Sequence, residues 1–214
     1  HLKNSVKTVS YGVKSRDVDY YADDITYTRM GSSFTVIHRD EHVRIETKLL
    51  GELNILNILS AICVARYLNV PWPTIQRAAK NMKQVEHRLE LKTINGYRFI
   101  DDAFNSNPVG SAMALEVLAM MPNTRYVVTP GMIDLGSIQD EANKEFGRKM
   151  KGKADEVILV GEIQTKPIYE GLQEANFDMQ RVIVVKTVKE AFDHIYRHAL
   201  PSDTILDRKS TRLN

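Results

Sequence analysis

Two polar stretches of this chain carry side chains that could bind a phosphorylated ligand. The first is His87-Arg88-Leu89-Glu90, and the second begins eleven residues on as Asp101-Asp102-Ala103-Phe104-Asn105-Ser106-Asn107-Pro108. An arginine guanidinium holds phosphate or ribose oxygens with a rigid fork of donors. The surrounding pattern predicts a strand, a hairpin and a polar loop at one edge of an α/β sheet. Such a loop is typical of a binding site.

The two aspartates end a predicted strand, where successive side chains point to opposite faces. At most one of them can therefore face a given ligand. We expect Asp102 to face the ligand and Asp101 to cap or pair locally. The alternative is that both only solvate a loop. For Arg88, at the predicted domain boundary, the alternative to ligand binding is an ordinary interdomain salt bridge.

Two pairs of asparagines are further candidates. Asn105 and Asn107 precede Pro108 at a predicted helix N-terminus, where backbone N–H groups attract a carboxylate or phosphate. Simple N-capping by Asn107 is the competing interpretation. Asn54 and Asn57 lie side by side on a predicted helix, and an amide can read the edge of adenine. A paired amide network in a helix interface is the alternative there.

The elements that must position these residues differ between the two halves of the chain. Residues up to about 50 alternate polar and apolar, which predicts short antiparallel strands with one wet face. A helix over 53–68 has apolar residues around most of its circumference, which predicts burial between layers. Another helix starts near Pro73 or Thr74, and the polar residues 83–86 form the predicted domain boundary.

The second half alternates short apolar strands with helices, which predicts an α/β fold with a mostly parallel, Rossmann-like sheet covered on both faces. The predicted strands are 89–94, 97–101, 126–129, 157–161, 182–185 and a start at 204–206. The predicted helices are 108–121, 139–150, about 167–175, and 188–198. Asn95-Gly96 predicts a tight hairpin. Ligands of such sheets bind beyond the carboxyl ends of the strands, where Asp102 and Thr129-Pro130-Gly131 fall.

The composition is that of an ordinary soluble globular protein, with 43% hydrophobic and 26% charged residues among 214. No apolar stretch approaches the ~18 residues of a membrane span, so we expect no membrane insertion and a cytoplasmic location. The single cysteine, Cys63, lies in an apolar helical run and is expected to be a buried thiol.

Residues 207–214 match the translation of a widely used sequencing-adapter sequence, and we exclude them from fold reasoning. They hold three of the 29 basic residues and one of the 27 acidic ones, so the rest of the chain carries equal numbers of both. The basic overall charge is therefore no argument for a nucleic-acid partner. Both ends of the chain look cut, which predicts a fragment.

Four ordered motifs together resemble the Mur ligase family: residues 51–57, 87–90, 101–108 and 129–136. Their order and spacing fit, and the resemblance covers about 10 to 206. The third motif is similar to that of the branch that adds D-alanyl-D-alanine to UDP-N-acetylmuramoyl-tripeptide. The resemblance implies that residues 1–85 are the C-terminal part of a central ATP-binding domain. It implies that residues 86–206 are a C-terminal Rossmann-like domain.

The resemblance implies an ATP-dependent amide-bond ligase of peptidoglycan precursor synthesis in the bacterial cytoplasm. Family chemistry converts a substrate carboxylate to an acyl phosphate, with Mg²⁺ neutralising phosphoryl oxygens, and an amine then attacks. By position, Asn54 and Asn57 match adenine-contacting asparagines, Arg88 a nucleotide-contacting arginine and Asp102 an acidic residue near the ribose.

The same resemblance places Asn105 and Asn107 in the loop that faces the reaction centre, where we expect them to position the dipeptide. One departure is Leu53, which stands where the family usually has histidine. The family's P-loop, its metal-binding glutamate and histidine and its modified lysine have no counterpart here and are expected upstream. We therefore expect an inactive, monomeric fragment.

Three alternatives to this assignment stay open. One is a noncatalytic Mur-like subunit of a cell-wall amidation complex, which an upstream cysteine-rich zinc insertion would favour. Another is a Mur ligase that adds a different amino acid. The third is a generic nucleotide-binding module, against which the lack of a G-x-G-x-x-G motif argues.

Overall fold

A computed structural model describes residues 8–103 and 107–208 of the chain. The chain divides into two compact units, unit 1 (His1–Lys83) and unit 2 (Gln84–Asn214). Within the described ranges, no helix is both long and apolar enough to cross a bilayer.

Unit 1 is a small sheet covered by two helices. Its strands are β1 (Tyr11–Gly12), β2 (Tyr20–Thr28), β3 (Gly31–His38) and β4 (Glu41–Thr47), and they lie in that order. As predicted, β2, β3 and β4 pair antiparallel, whereas β1 pairs parallel to β2. The helices are α1 (Gly51–Tyr67) and α2 (Trp72–Asn81).

The core of unit 1 lies between the sheet and one face of α1. Phe34 and Ile45 point inward from the sheet and belong to the same buried cluster as Ile55 of α1. The prediction that α1 is buried around its circumference is wrong for the described unit. Leu53 is 37% exposed and Val64 is 60% exposed, because only one face of the helix packs on the sheet and α2. Cys63 is buried, as predicted.

Unit 2 is a three-layer α/β fold. Its described strands are β5 (Glu90–Ile94), β6 (Tyr97–Asp101), β7 (Arg125–Thr129), β8 (Glu156–Val160), β9 (Val182–Val185) and β10 (Thr204–Asp207). Its described helices are α3 (Pro108–Ala119), α4 (Gln139–Lys149), α5 (Glu162–Glu174) and α6 (Val188–His198). The strand order is β5-β6-β10-β7-β8-β9.

The sheet of unit 2 is parallel from β6 to β9, and β5 is antiparallel to β6. Ala191 and Ile195 of α6 cluster with Tyr126, Val128 and other residues on one face of the strands. Because strand side chains alternate, Val127 and its neighbours are directed to the opposite face, where α3, α4 and α5 lie. The predicted Rossmann-like sheet with helices on both faces is confirmed.

The predicted elements of unit 2 match the observed ones to within two residues, with one exception. The helix expected to start near Pro167 begins at Glu162 instead, and Pro167 lies inside it. Proline keeps a helical φ at this position but removes one backbone hydrogen bond. The Asn95-Gly96 hairpin is confirmed, with φ of 52° and 86° at the two turn residues.

Helices α4 and α5 cross at two glycines. A Cβ on Gly171 would lie 1.9 Å from the carbonyl oxygen of Lys144, and one on Gly147 would lie 2.2 Å from that of Ile168. The two backbones therefore touch, and only residues without a side chain fit at the crossing.

Candidate functional site

One edge of the unit 2 sheet gathers most of the candidate residues of that unit. The parallel strands β6, β7, β8, β9 and β10 all end there, and α3 begins there. Strand β5 runs the other way, and its first residue, Glu90, pairs with Asp101 at the end of β6. Arg88, Asp102 and Asn107 therefore lie at the same edge, where ligands of parallel sheets bind.

Asp101 pairs locally, as the sequence predicts for one of the two aspartates. Its Oδ2 accepts hydrogen bonds from Lys92 Nζ at 2.8 Å and pairs with His87 Nδ1 at 2.8 Å. Burial acts to raise the pKa of Asp101, but the bonds from Lys92 and His87 outweigh it and hold the pKa below its usual value. The carboxylate is thus a structural anion at the open end of the hairpin, where the last residue of β6 pairs with the first residue of β5.

Asp102 is also held by protein groups. Its Oδ1 accepts from the backbone N–H of Leu89 at 3.2 Å, and its Oδ2 forms an ion pair with the buried Arg208. Burial raises the pKa of Asp102, and the charge of Arg208 offsets this only in part. The side chain is 14% exposed, so only a small part of the carboxylate surface is accessible to a ligand.

Arg88 lies in a turn that the two aspartates brace. The residues on either side of it, His87 and Leu89, have φ of 60° and 49°, a region that non-glycine residues adopt at some cost. Leu89 is buried, whereas Arg88 is exposed and donates its backbone N–H to the carbonyl of Val85 at 3.1 Å. The turn places the Arg88 side chain at the surface of the sheet edge.

Asn107 is the N-cap of α3. Its Oδ1 accepts from the backbone N–H of Gly110 at 2.8 Å. The competing interpretation, that Asn107 is an N-cap, is therefore confirmed. Capping occupies the amide oxygen and is compatible with donation by the amide nitrogen to a ligand. Asn105, the other predicted loop residue, lies outside the described residues.

Asn54 and Asn57 are on α1 in unit 1. Asn54 Nδ2 donates to the carbonyl of Leu50, one turn back, at 2.8 Å, and Asn57 is exposed. The predicted alternative of a paired amide network is wrong, because Asn54 bonds to its own helix rather than to Asn57. Both amides lie on the first two turns of the helix.

A buried connection behind the sheet edge was missed by sequence reasoning. Asn143 of α4 is 1% exposed. Its Oδ1 accepts from Met132 N–H at 2.8 Å, and its Nδ2 donates to Met132 O at 2.9 Å and Gln139 O at 3.0 Å. A polar residue on the same helix face as Phe146 and Gly147, the face that α4 buries, is the signal that could have found it.

Metal-ligating side chains do not gather at this edge in the part of the chain that the structure describes. Residues 8–103 and 107–208 contain no cluster of three or more His, Cys, Asp or Glu side chains that could hold a metal ion.

Two family models match the chain. The model of the Mur ligase glutamate ligase domain matches residues 87–206, and that of the Mur ligase middle domain matches residues 1–65. Because these matches cover most of the chain, it belongs to the Mur ligase family.

Curated relatives come from two branches of this family. The UDP-N-acetylmuramoylalanine–D-glutamate ligase of Thermoanaerobacter sp. (strain X514) is 29% identical over 209 residues, covering 96% of this chain and 43% of that protein. The UDP-N-acetylmuramoyl-tripeptide–D-alanyl-D-alanine ligase of Bacillus subtilis (strain 168) is 26% identical over 210 residues, covering 96% and 45%. The chain therefore spans less than half the length of these relatives.

Solved structures of the family share the fold. MurF from Acinetobacter baumannii superposes with a TM-score of 0.81 at 21% identity, covering 96% of this chain and 44% of that one. MurF ligase from Thermotoga maritima, solved in complex with ADP, also gives 0.81 at 19% identity, covering 100% and 48%.

Proposed function

We propose that the full-length protein is an ATP-dependent ligase of peptidoglycan precursor synthesis that joins D-alanyl-D-alanine to UDP-N-acetylmuramoyl-tripeptide. Residues 1–85 would be the end of its central ATP-binding domain and residues 86–206 its C-terminal domain. The name of the Bacillus subtilis relative and the loop motif at 101–108 support this branch. Because the chain belongs to the Mur ligase family, we propose that the enzyme is a cytoplasmic bacterial protein, and we expect a monomer.

The reaction has two steps. A carboxylate oxygen of the tripeptide attacks the γ-phosphorus of ATP, and ADP leaves. The amine of the dipeptide then attacks the carbonyl carbon of the acyl phosphate, loses a proton, and inorganic phosphate leaves. Mg²⁺ would neutralise phosphoryl oxygens, and we expect its protein ligands and the P-loop upstream of residue 1.

The side chains present suit the nucleotide. Asn54 uses its nitrogen within α1, which leaves the amide oxygen as an acceptor for the adenine amino group, and Asn57 is exposed. Arg88 is exposed, and a guanidinium group suits phosphate or ribose oxygens. The Thermotoga maritima ligase of the same fold was solved with ADP bound, which supports a nucleotide ligand here.

Asp102 is the candidate whose role is most restricted. We propose that it lies near the ribose, but its carboxylate is paired with Arg208. Residues 207–214 match an adapter translation, and we propose that they are not native. The pair with Arg208 would then compete with a ribose contact in this chain and not in the natural enzyme.

The observation that carries the proposal is the common position of Arg88, Asp102 and Asn107. Residues that are separate in sequence lie at the one sheet edge where a ligand crevice forms in parallel α/β folds. In this arrangement Arg88 would hold the nucleotide while the Asn105 to Asn107 loop positions the attacking dipeptide.

A second candidate is the addition of D-glutamate to UDP-N-acetylmuramoylalanine. The Thermoanaerobacter relative with this name is 29% identical over nearly the whole chain. The two candidates share the first step and differ only in the amine and the acceptor.

Domain exchange separates the two candidates. Residues 87–206 would replace the matching segment of the Bacillus subtilis ligase and, separately, that of the Thermoanaerobacter ligase. We expect phosphate release that requires D-alanyl-D-alanine in the first chimera and little release with D-glutamate in the second. The opposite preference would overturn the branch assignment, and two folded but inactive chimeras would favour a noncatalytic subunit.

Two controls sharpen this test. In the active chimera, Arg88→Ala should lower kcat/KM by about tenfold to a hundredfold, the usual effect of losing a hydrogen bond to a charged group. The isolated chain should release no phosphate from ATP with both substrates present. Robust turnover by the isolated chain would contradict the expectation that essential groups lie upstream.

A further inference from the structure

We propose that Asn143 is a positioning residue that holds Asn107 through Met132 and Ser111. The turn after β7 and the N-terminus of α3 would then form one rigid platform at the carboxyl edge of the sheet. The importance of this platform for catalysis rests on the proposed role of Asn107, whereas the mechanical coupling does not.

The first link joins α4 to the turn after β7. Asn143 uses its amide oxygen and both amide hydrogens, and two of these three bonds go to the backbone of Met132. One side chain therefore satisfies both the N–H and the C=O of a buried residue that has left the strand. This replaces the strand partner that Met132 would otherwise need.

The turn is also fixed from its other end. Thr129 Oγ1 accepts from the N–H of Gly131 at 3.0 Å. Gly131 has φ of 85°, and a Cβ at that position would lie 3.0 Å from Asn143 Oδ1. The backbone is thus pressed against the amide of Asn143, which leaves little freedom between residues 129 and 132.

The second link joins the turn to α3. The hydroxyl of Ser111, which is fully buried, lies 3.3 Å from Met132 Sδ and donates to the carbonyl oxygen of Asn107 at 2.7 Å. The backbone N–H of Ser111 donates to the same carbonyl at 2.9 Å. Asn143, Met132, Ser111 and Asn107 form a continuous series of contacts, through which we expect a displacement of Met132 to reach the cap of α3.

Hydrogen exchange of the 214-residue chain tests the coupling without any ligand. Asn143→Leu keeps the side-chain size but removes the three bonds. We expect amide exchange to rise about tenfold or more at Met132, the effect of one lost buried hydrogen bond. Exchange should also rise at Gly110, whose N–H donates to Asn107 Oδ1. A rise at Met132 with no change at Gly110 would overturn the proposal.

A matched control lies on the neighbouring helix. Thr165 of α5 is 1% exposed, and its hydroxyl donates to Gly161 O at 2.7 Å, beside the turn after β8. Thr165→Val removes this buried bond while keeping the side-chain shape. Exchange at Gly110 should not change in this variant, and an equal rise there would show a general loss of stability instead of a specific connection.

Two further variants keep the proposal testable if Asn143→Leu does not fold. Ser111→Ala deletes only the hydroxyl between α3 and Met132. Because coupling between two sites is reciprocal, exchange at Met132 should rise in this variant. Unchanged exchange at Met132 would overturn the proposal.

Asn143→Asp keeps the acceptor oxygen, and its protonated form regains one donor. Protection of the Met132 and Gly110 amides should therefore recover together as the pH falls. Recovery at Met132 alone would count against coupling.

The same variants in the active chimera separate this proposal from the proposed function. Asn143→Asp should lower kcat with little change in the KM for ATP, because Arg88 is not part of the connection. Coupling in exchange without an effect on kcat would refute the catalytic role of Asn107 and leave the coupling intact.

Discussion

The crossing of α4 and α5 makes the most quantitative prediction. In the variant Gly171→Ala the new methyl group would lie 1.9 Å from the carbonyl oxygen and 2.8 Å from the carbonyl carbon of Lys144. Ordinary carbon–oxygen contact is above about 3 Å, so the helices must separate by about 1 Å or more. Both atoms of Lys144 belong to the backbone and cannot rotate away.

The expected loss of stability follows from two opposing terms. Overpacking of a tight site costs about 1–3 kcal/mol, and contact with rigid backbone favours the upper end. Alanine gains about 1 kcal/mol over glycine in helix propensity. We therefore expect a net loss of about 2 kcal/mol, or roughly 8 °C in the melting midpoint of a unit of this size.

Thermal unfolding followed by far-UV circular dichroism measures this loss. Gln173→Ala is the matched control, because it adds no methyl group at the crossing and changes an exposed position of the same helix. Gly147→Ala should behave like Gly171→Ala, and the double variant should cost less than the sum, because the helices separate only once. A midpoint for Gly171→Ala at or above that of Gln173→Ala would refute the close approach.

Two further predictions concern charged groups. The hydrogen bond from Trp72 Nε1 at 2.9 Å lowers the pKa of Glu41, so its stabilisation is present above the usual carboxyl pKa and is lost as the pH falls through the lowered value. Fluorescence of Trp72, the single tryptophan, should report an acid transition that is absent from Glu41→Gln, and a transition that persists in this variant would refute the assignment to Glu41. For the buried pair of Arg208 with Asp102, Arg208→Met should cost about 3 kcal/mol near neutral pH. Because the pKa of Asp102 is already raised, this cost should shrink in urea titrations as the pH falls and the carboxyl becomes protonated.

Local patterns predict the elements of this chain but not the contacts that join distant ones. Periodicity and the Asn-Gly pair are enough for the sheet and its hairpin, since both depend on neighbouring residues. The Arg208–Asp102 pair spans 106 residues, and no local pattern reports it. The burial of α1 was overestimated for the same reason: an apolar run shows which side chains avoid water, but not which face has a partner.

The candidate site shows a similar division. Its place at the carboxyl edge follows from the parallel direction of the strands, which the alternation of strands and helices predicts, whereas the order of the strands was not predicted. The use of each polar group is decided by partners that lie elsewhere in the chain. Asn107 caps its own helix. The role of Asn143 is visible only in the structure, where its side chain bonds to the turn after β7.

The two adjacent aspartates brace the Arg88 turn from opposite sides. Neighbouring residues at a strand end point in opposite directions, and here Asp101 holds the ring of His87 while Asp102 holds the N–H of Leu89. The residues before and after Arg88 are thereby fixed in positive-φ conformations that they would otherwise avoid. A D-D sequence at this point is explained by one carboxylate for each side of the turn, even where neither touches a ligand.

The bond between Asp101 and His87 predicts a specific effect of Asp101→Asn. Loss of the charged acceptor should destabilise unit 2 by about 1.5–3 kcal/mol and raise hydrogen exchange at the Arg88 and Leu89 amides more than in α5. The pKa of Asp101 is lowered, so the loss should be present above the usual carboxyl pKa and vanish as the pH falls through the lowered value. Asp193→Asn, which removes an exposed carboxylate paired with Lys189 on α6, should leave that turn unchanged. Equal exchange at the Arg88 amide in both variants would show that the turn is stable without the Asp101 carboxylate and would refute this role of Asp101.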